Sequence, residues 1–158
     1  MKKIILLLTT VLVVSGIQAQ SNKEDIDMIQ AMYGKEKKEI TASFIELEGT
    51  KKTEFWKLYD EYETSRKSLG KKRIALLEKY AKDYETNDDK KIDAMMKEIF
   101  ALQSQTDKLI VTYYEKMKLK AGVKAAAQFS QLETYLLSQI RAALLEEIPF
   151  FGQLDNKQ

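Results

Sequence analysis

The chain is predicted to be all-α, an elongated four-helix hairpin in which two long helices run antiparallel. Three observations predict this class. Glycine and proline are scarce, six and one in 158 residues, too few for the turns of a β-sandwich. Apolar residues recur at steps of three and four over long segments, the spacing of a single helix face. Cysteine is absent, so no disulfide framework braces the chain and helix packing must carry its stability.

The first element is a leader. Lys2 and Lys3 form a basic start, Ile4 to Val14 an apolar run, and Ile17-Gln18-Ala19 a cleavage site before Gln20, the pattern of a secretory signal peptide. The run is shorter than the roughly 20 residues a membrane-crossing helix needs, and no longer one follows. The expectation is export to the periplasm, cleavage between Ala19 and Gln20, and no stable membrane insertion. With no cysteine, an N-terminal lipid anchor is excluded. Residues 20–150 are read as one helical domain and 151–158 as a flexible C-terminal tail.

Periodicity places four helices in that domain. From Lys23 to Glu46, Ile26, Ile29, Met32 or Tyr33, Ile40, Phe44 and Leu47 keep helical spacing, with a bend or break expected at Gly34. From Thr50 to Tyr84, a heptad seam runs through Phe55, Tyr59, Tyr62, Arg66, Leu69, Arg73, Leu76 and Tyr80, with two basic interruptions. Gly70 lies inside it, at a cost of about 1 kcal/mol against alanine, and the helix is expected to continue through it. Thr86-Asn87-Asp88-Asp89 supplies a cap and first-turn acids for the next helix. Its seam is Ile92, Met95, Ile99, Leu102, Thr106, Leu109 and Tyr113, and it stops at Gly122 after Lys116, Lys118 and Lys120. A fourth helix, Val123 to Ile148, carries Ala126, Phe129, Leu132, Leu136, Leu137, Ile140, Leu144 and Ile148, and Pro149 ends it. Two helices above thirty residues expose more seam than two shorter ones cover, which predicts a homodimer.

Charge and side-chain inventory narrow the function. Removing Lys2 and Lys3 with the leader brings the 26 basic residues level with the 24 acidic ones, so no net field recruits nucleic acid or an anionic membrane. Histidine and cysteine are both absent, which removes the usual zinc ligand sets, thiol nucleophiles and histidine general bases. No enzyme activity and no cofactor are expected. Acidic residues alternate with lysine, as in Glu36-Lys37-Lys38-Glu39, and read as solvated helix faces. Lys71-Lys72-Arg73 reads the same way, and the methionines as adaptable core filler.

Phe55, Trp56, Tyr59 and Tyr62 crowd one end of the second helix. They form either a tyrosine-rich helix interface or an amphipathic surface that receives other chains. They are the candidate protein-binding residues.

The segment Thr53 to Tyr62, TEFWKLYDEY, taken with Lys124 to Glu133, KAAAQFSQLE, and with Ile148-Pro149, resembles the Spy and CpxP family of exported helical stress proteins. The resemblance covers roughly residues 45–150. Its motif positions are Lys124, Phe129, Gln131, Glu133 and Pro149. It implies a cradle-shaped helical dimer that binds unfolded polypeptides without ATP or modulates an envelope-stress sensor. The chain departs from the family's Leu-Thr-x-x-Gln signature: Leu47-Glu48-Gly49-Thr50-Lys51 and Tyr84-Glu85-Thr86-Asn87-Asp88 lack the glutamine. The expectation that results is a periplasmic, non-enzymatic stress chaperone or sensor accessory binding apolar polypeptide segments. The alternative is a coiled-coil adaptor with one fixed protein partner.

Overall fold

A computed structural model gives the fold and describes residues 23–82 and 88–146. Those residues form four α-helices and no strand: α1 Lys23–Phe44, α2 Gly49–Lys82, α3 Asp89–Ala121 and α4 Val123–Glu146. The chain is all-α, as its periodicity predicts. The leader, with Ala19 and Gln20, and residues 147–158, with Ile148 and Pro149, lie outside the described residues.

The helix ends follow from local chemistry. The Asp88 side chain accepts a hydrogen bond from the Lys91 backbone N–H at 2.9 Å and caps α3, while Asp89 faces the positive end of the helix dipole. Thr86 and Asn87, expected to share in this cap, lie outside the described residues. At the other end Gly122 takes φ 100°, a conformation costly for a residue with a Cβ, and its N–H donates to the Met117 carbonyl at 3.2 Å. Its own carbonyl accepts from Ala126 at 3.2 Å and starts α4. One residue therefore both stops a helix and opens the next.

Helix α1 departs from its expected pattern in two ways. The helix runs unbroken through Gly34. A Cβ there would stand 3.1 Å from Lys67 Nζ and 3.2 Å from its Cε, so the glycine makes room for a lysine of α2. The buried stripe of α1 is also displaced: Lys37 and Thr41 are buried, Ile45 just beyond the helix is buried too, and Phe44 is 43 % exposed. Ile40 is half-buried, and the side chains of Ile26, Ile29, Met32 and Tyr33 lie outside the described residues.

The longer helices keep their predicted faces. On α2, Phe55, Tyr59, Tyr62, Arg66 and Tyr80 are buried with Leu77, and the helix continues through Gly70. On α3, Met95, Leu102, Tyr113 and Met117 are buried, and on α4 Ala126, Phe129 and Leu136. Helix α2 packs on α3, α3 on α4, and α1 against α2 and α4. The core sits where the early turns of α2 meet the late turns of α3 and the start of α4. There Tyr62 stands edge-on to Phe129, ring centres 5.0 Å apart, and to Tyr113 at 5.5 Å. Such pairs add about 0.5–1.5 kcal/mol each beyond their burial. Ala121, Ala125 and Ala126, all buried, let α3 and α4 close around Gly122.

Candidate functional site

The structure assembles two sites of different kinds, a closed ionic network and an open apolar groove. The network joins three helices. Lys37 of α1 donates to Glu63 Oε1 of α2 at 2.5 Å and is also paired with Glu133 of α4. Arg66 forks onto Glu63, Nε to Oε1 at 3.0 Å and Nη2 to Oε2 at 3.1 Å. Tyr62 Oη donates to Glu133 Oε1 at 2.5 Å. Thr41 Oγ1 donates to the Lys37 carbonyl at 2.7 Å and stands 3.5 Å from Tyr59 Oη. The Lys37 ammonium lies 5.1 Å from the Tyr62 ring centre, within cation–π reach.

All four charged groups are buried. Two cations against two carboxylates leave no net charge inside, the condition under which burying ions is tolerable. Burial alone would raise the Glu63 pKa, but the Lys37 and Arg66 cations and their hydrogen bonds outweigh it and hold the carboxyl below its usual range. Burial, then the Glu133 charge and hydrogen bond, keep the Tyr62 phenol protonated far above its ordinary value. Burial and the Glu63 charge act likewise on Tyr59. The network is buried and joins three helices, so it fixes the position of α1 against α2 and α4.

The sequence reading missed this network. Lys37 was expected on a solvated face and is 1 % exposed. The signal was Arg66: a cation within an apolar seam demands a buried anion, and Glu63 lies three residues before it on the same helix face.

The aromatic candidates take part in the same core. Phe55, Tyr59 and Tyr62 are buried to within about one per cent, because their rings are spent on Phe129, Tyr113 and one another. They form the helix interface and offer no accessible docking surface. Trp56 is half-buried, with the Lys38 ammonium 5.4 Å from its ring centre. Of the motif positions, Phe129 and Glu133 come together with Tyr62 inside the core, Lys124 and Gln131 are exposed and apart, and Pro149 lies outside the described residues. Arg73, expected on a solvated face with exposed Lys71 and Lys72, is half-buried, and its Nε has no hydrogen-bond partner among the described residues. Burial, then the nearby Arg141 cation, depress its pKa.

The open site lies on α3. Phe100, Ser104, Asp107 and Val111 follow at steps of four, three and four, and with Gln103, Lys108 and Thr112 they line one shallow groove. Phe100 is 63 % exposed and Val111 61 %. Gln103 Nε2 donates to Asp107 at 2.9 Å and 3.0 Å, and Arg141 of α4 approaches Asp107 at 3.9 Å. The polar rim is thus tied down while the two apolar side chains face water. Among the described residues no group of three acidic side chains is placed to hold a metal ion, and no helix is long and apolar enough to cross a membrane.

Comparison with family models, with curated proteins and with solved structures returned no match.

Proposed function

We propose that the chain is an exported, non-enzymatic periplasmic protein that captures apolar polypeptide segments reversibly on the outer face of α3, as an ATP-independent chaperone or a stress-sensor accessory. The observation that carries this reading is the exposure of Phe100 and Val111 on one stripe of one groove. Apolar side chains on the face opposite a completed seam add nothing to the fold, and they suit a surface that meets other chains. The exported leader pattern, the balanced charge and the absence of histidine and cysteine favour the same reading. So does the resemblance to the Spy and CpxP proteins, which rests on the motif residues alone. Nucleotide has no part in it, since the chain contains no Gly-x-x-x-x-Gly-Lys loop.

The elongated hairpin and its pairing into a homodimer belong to the same proposal. Leu119 and Val123, both exposed where α3 turns into α4, supply apolar surface that a second copy would cover.

The test is suppression of aggregation of an unrelated denatured protein, without nucleotide, by residues 20–158. Phe100→Gln with Val111→Gln should abolish suppression while leaving helix content unchanged by circular dichroism. If the unsubstituted chain fails to slow aggregation in molar excess, the capture reading falls and an adaptor with one fixed partner replaces it.

A further inference from the structure

We infer that Arg73 of α2 and Arg141 of α4 form an anion site that takes one oxyanion group, a phosphate or a carboxylate, between their guanidinium planes. Such a site stands whether or not the α3 groove captures polypeptides.

The helices bring the two arginines together. Phe55 and then Tyr62 of α2 meet Phe129 and then Glu133 of α4, so these two helices run in the same direction. From the Tyr62–Glu133 contact, Arg73 lies three turns further along α2, about 16 Å, and Arg141 just over two turns further along α4, about 12 Å. Both therefore stand on the flanks that face each other, at levels about 4 Å apart. Arg73 occupies an inward position of the α2 seam, seven residues after buried Arg66 and four before buried Leu77. Its Nε is buried and has no hydrogen-bond partner among the described residues. Arg141 keeps 27 % of its side chain exposed, which leaves the pair open to an ion from solvent.

Charge then selects the ligand. Burial and the Arg141 cation both act against the Arg73 charge, but a guanidinium does not give up its proton in a protein. Asp107 answers Arg141 only in part: its Oδ1 stands 3.9 Å from Nη2, too far for a hydrogen bond, and both its oxygens already accept from Gln103. The contrast within the same bundle is Arg66, which forks onto Glu63 inside a network of two cations and two carboxylates. Arginine's flat fork of N–H donors matches the paired oxygens of a carboxylate or phosphate. The chain uses it sparingly: of 26 basic residues three are arginine, Arg66, Arg73 and Arg141. Arg66 is spent on Glu63, which leaves the other two for an acceptor from outside the chain. An oxyanion between them accepts from the buried Nε and offsets the repulsion of two like charges.

Having three arginines makes the test direct. In residues 20–158 isotope-labelled at arginine, each Nε–H gives one NMR signal, and Arg73→Met and Arg141→Met assign them. Inorganic phosphate, and separately acetate, is titrated at constant ionic strength with chloride as the balancing ion. The Arg73 and Arg141 signals should shift along a saturating curve while Arg66 stays still. Saturation by phosphate assigns the site to a phosphate-bearing ligand, by acetate to a carboxylate, and by both to either group. Arg141→Met should weaken binding, read at Arg73, by about tenfold or more, the share of one charge-assisted hydrogen bond. Lys72→Met, an equal loss of charge on an exposed side chain, should leave it unchanged. In chloride buffer Arg73→Met should not lower the urea midpoint, because methionine fills the space of the stem and removes a poorly answered cation. A fall as large as that of Leu102→Ala would mean that the guanidinium is already paired within the chain, and overturns the site. Signals of all three arginines that shift alike without saturating, or binding that ignores Arg141→Met, overturn it too.

Discussion

Lys37→Met is the substitution with the most consequence for this fold. The lysine is 1 % exposed and touches both buried carboxylates. After the change Glu63 keeps its two-pronged contact with Arg66, but among the described residues Glu133 keeps only the Tyr62 hydroxyl. A buried carboxylate loses its cation, and methionine fills the space of the lysine stem without replacing the charge. Truncating one partner of a buried pair in this way costs about 3–5 kcal/mol, a large part of the 5–15 kcal/mol that typically holds a domain together. Lys38 supplies the comparison on the next residue. Its pair with Asp60 is as short, 2.5 Å, but its side chains are 46 % and 60 % exposed, so Lys38→Ala should cost no more than about 1 kcal/mol. Adding Glu133→Gln to Lys37→Met removes the stranded charge and should recover most of the loss. Urea unfolding by circular dichroism at pH 7 reads the global cost. Hydrogen exchange over residues 34–44 reads it locally, because Lys37 ties α1 to both α2 and α4. If Lys37→Met and Lys38→Ala prove equally mild in both measurements, Lys37 is not buried and the register of α1 is wrong.

Further outcomes follow from the same geometry. Leu102→Ala, in the buried seam of α3, should cost about 2–5 kcal/mol, while Lys97→Ala, on an exposed side chain, should stay within about 0.5 kcal/mol; equal shifts in thermal unfolding would refute the seam. Glu63 has its folded pKa held below the ordinary 4.5, so its stabilising effect is complete above that value and is lost as pH falls through the folded pKa. Unfolding midpoints at pH 7 and pH 3 should differ accordingly, and Glu63→Gln should flatten the difference. Intact mass of protein from the cell envelope should begin at Gln20, and sedimentation equilibrium at micromolar concentration should give a dimer. Aggregation suppression should persist in 0.5 M salt, where a Debye length of about 4 Å would weaken capture by charge alone.

How far the fold was legible depended on what kind of residue carried the signal. In α2 and α3 the apolar positions repeat over many turns, and Phe55, Tyr59, Tyr62, Leu102 and Tyr113 were placed correctly on the buried side. Gly122 announced a helix end through its own backbone freedom. Among the described side chains of α1 the buried ones are Lys37 and Thr41, residues that periodicity counts as polar. Only their partners on other helices make their burial tolerable, and no local window contains those partners. The groove was hidden for a different reason. Phe100 and Val111 follow helical spacing of their own, and nothing but the packing of α2 and α4 on α3 tells which of two opposite stripes faces inward.

That last point bears on function. Met95, Leu102, Tyr113 and Met117 already give α3 a continuous buried seam, and Phe100 lies about 200° around the helix from Leu102. A helix needs one apolar stripe to pack, and polar residues on the other side keep it soluble. Phe100 and Val111, exposed by more than three-fifths of their surface, therefore weaken solubility without adding to the core. The aromatic residues that a client-binding surface was expected to use are instead consumed in making the fold hold without disulfides. In the proposed function, capture falls to a second, sparser set of apolar side chains on the outer face. Substituting Phe100 and Val111 should accordingly separate the two properties: capture should fall while the unfolding free energy stays within about 0.5 kcal/mol of the parent. A large loss of stability would mean that these residues belong to the fold after all.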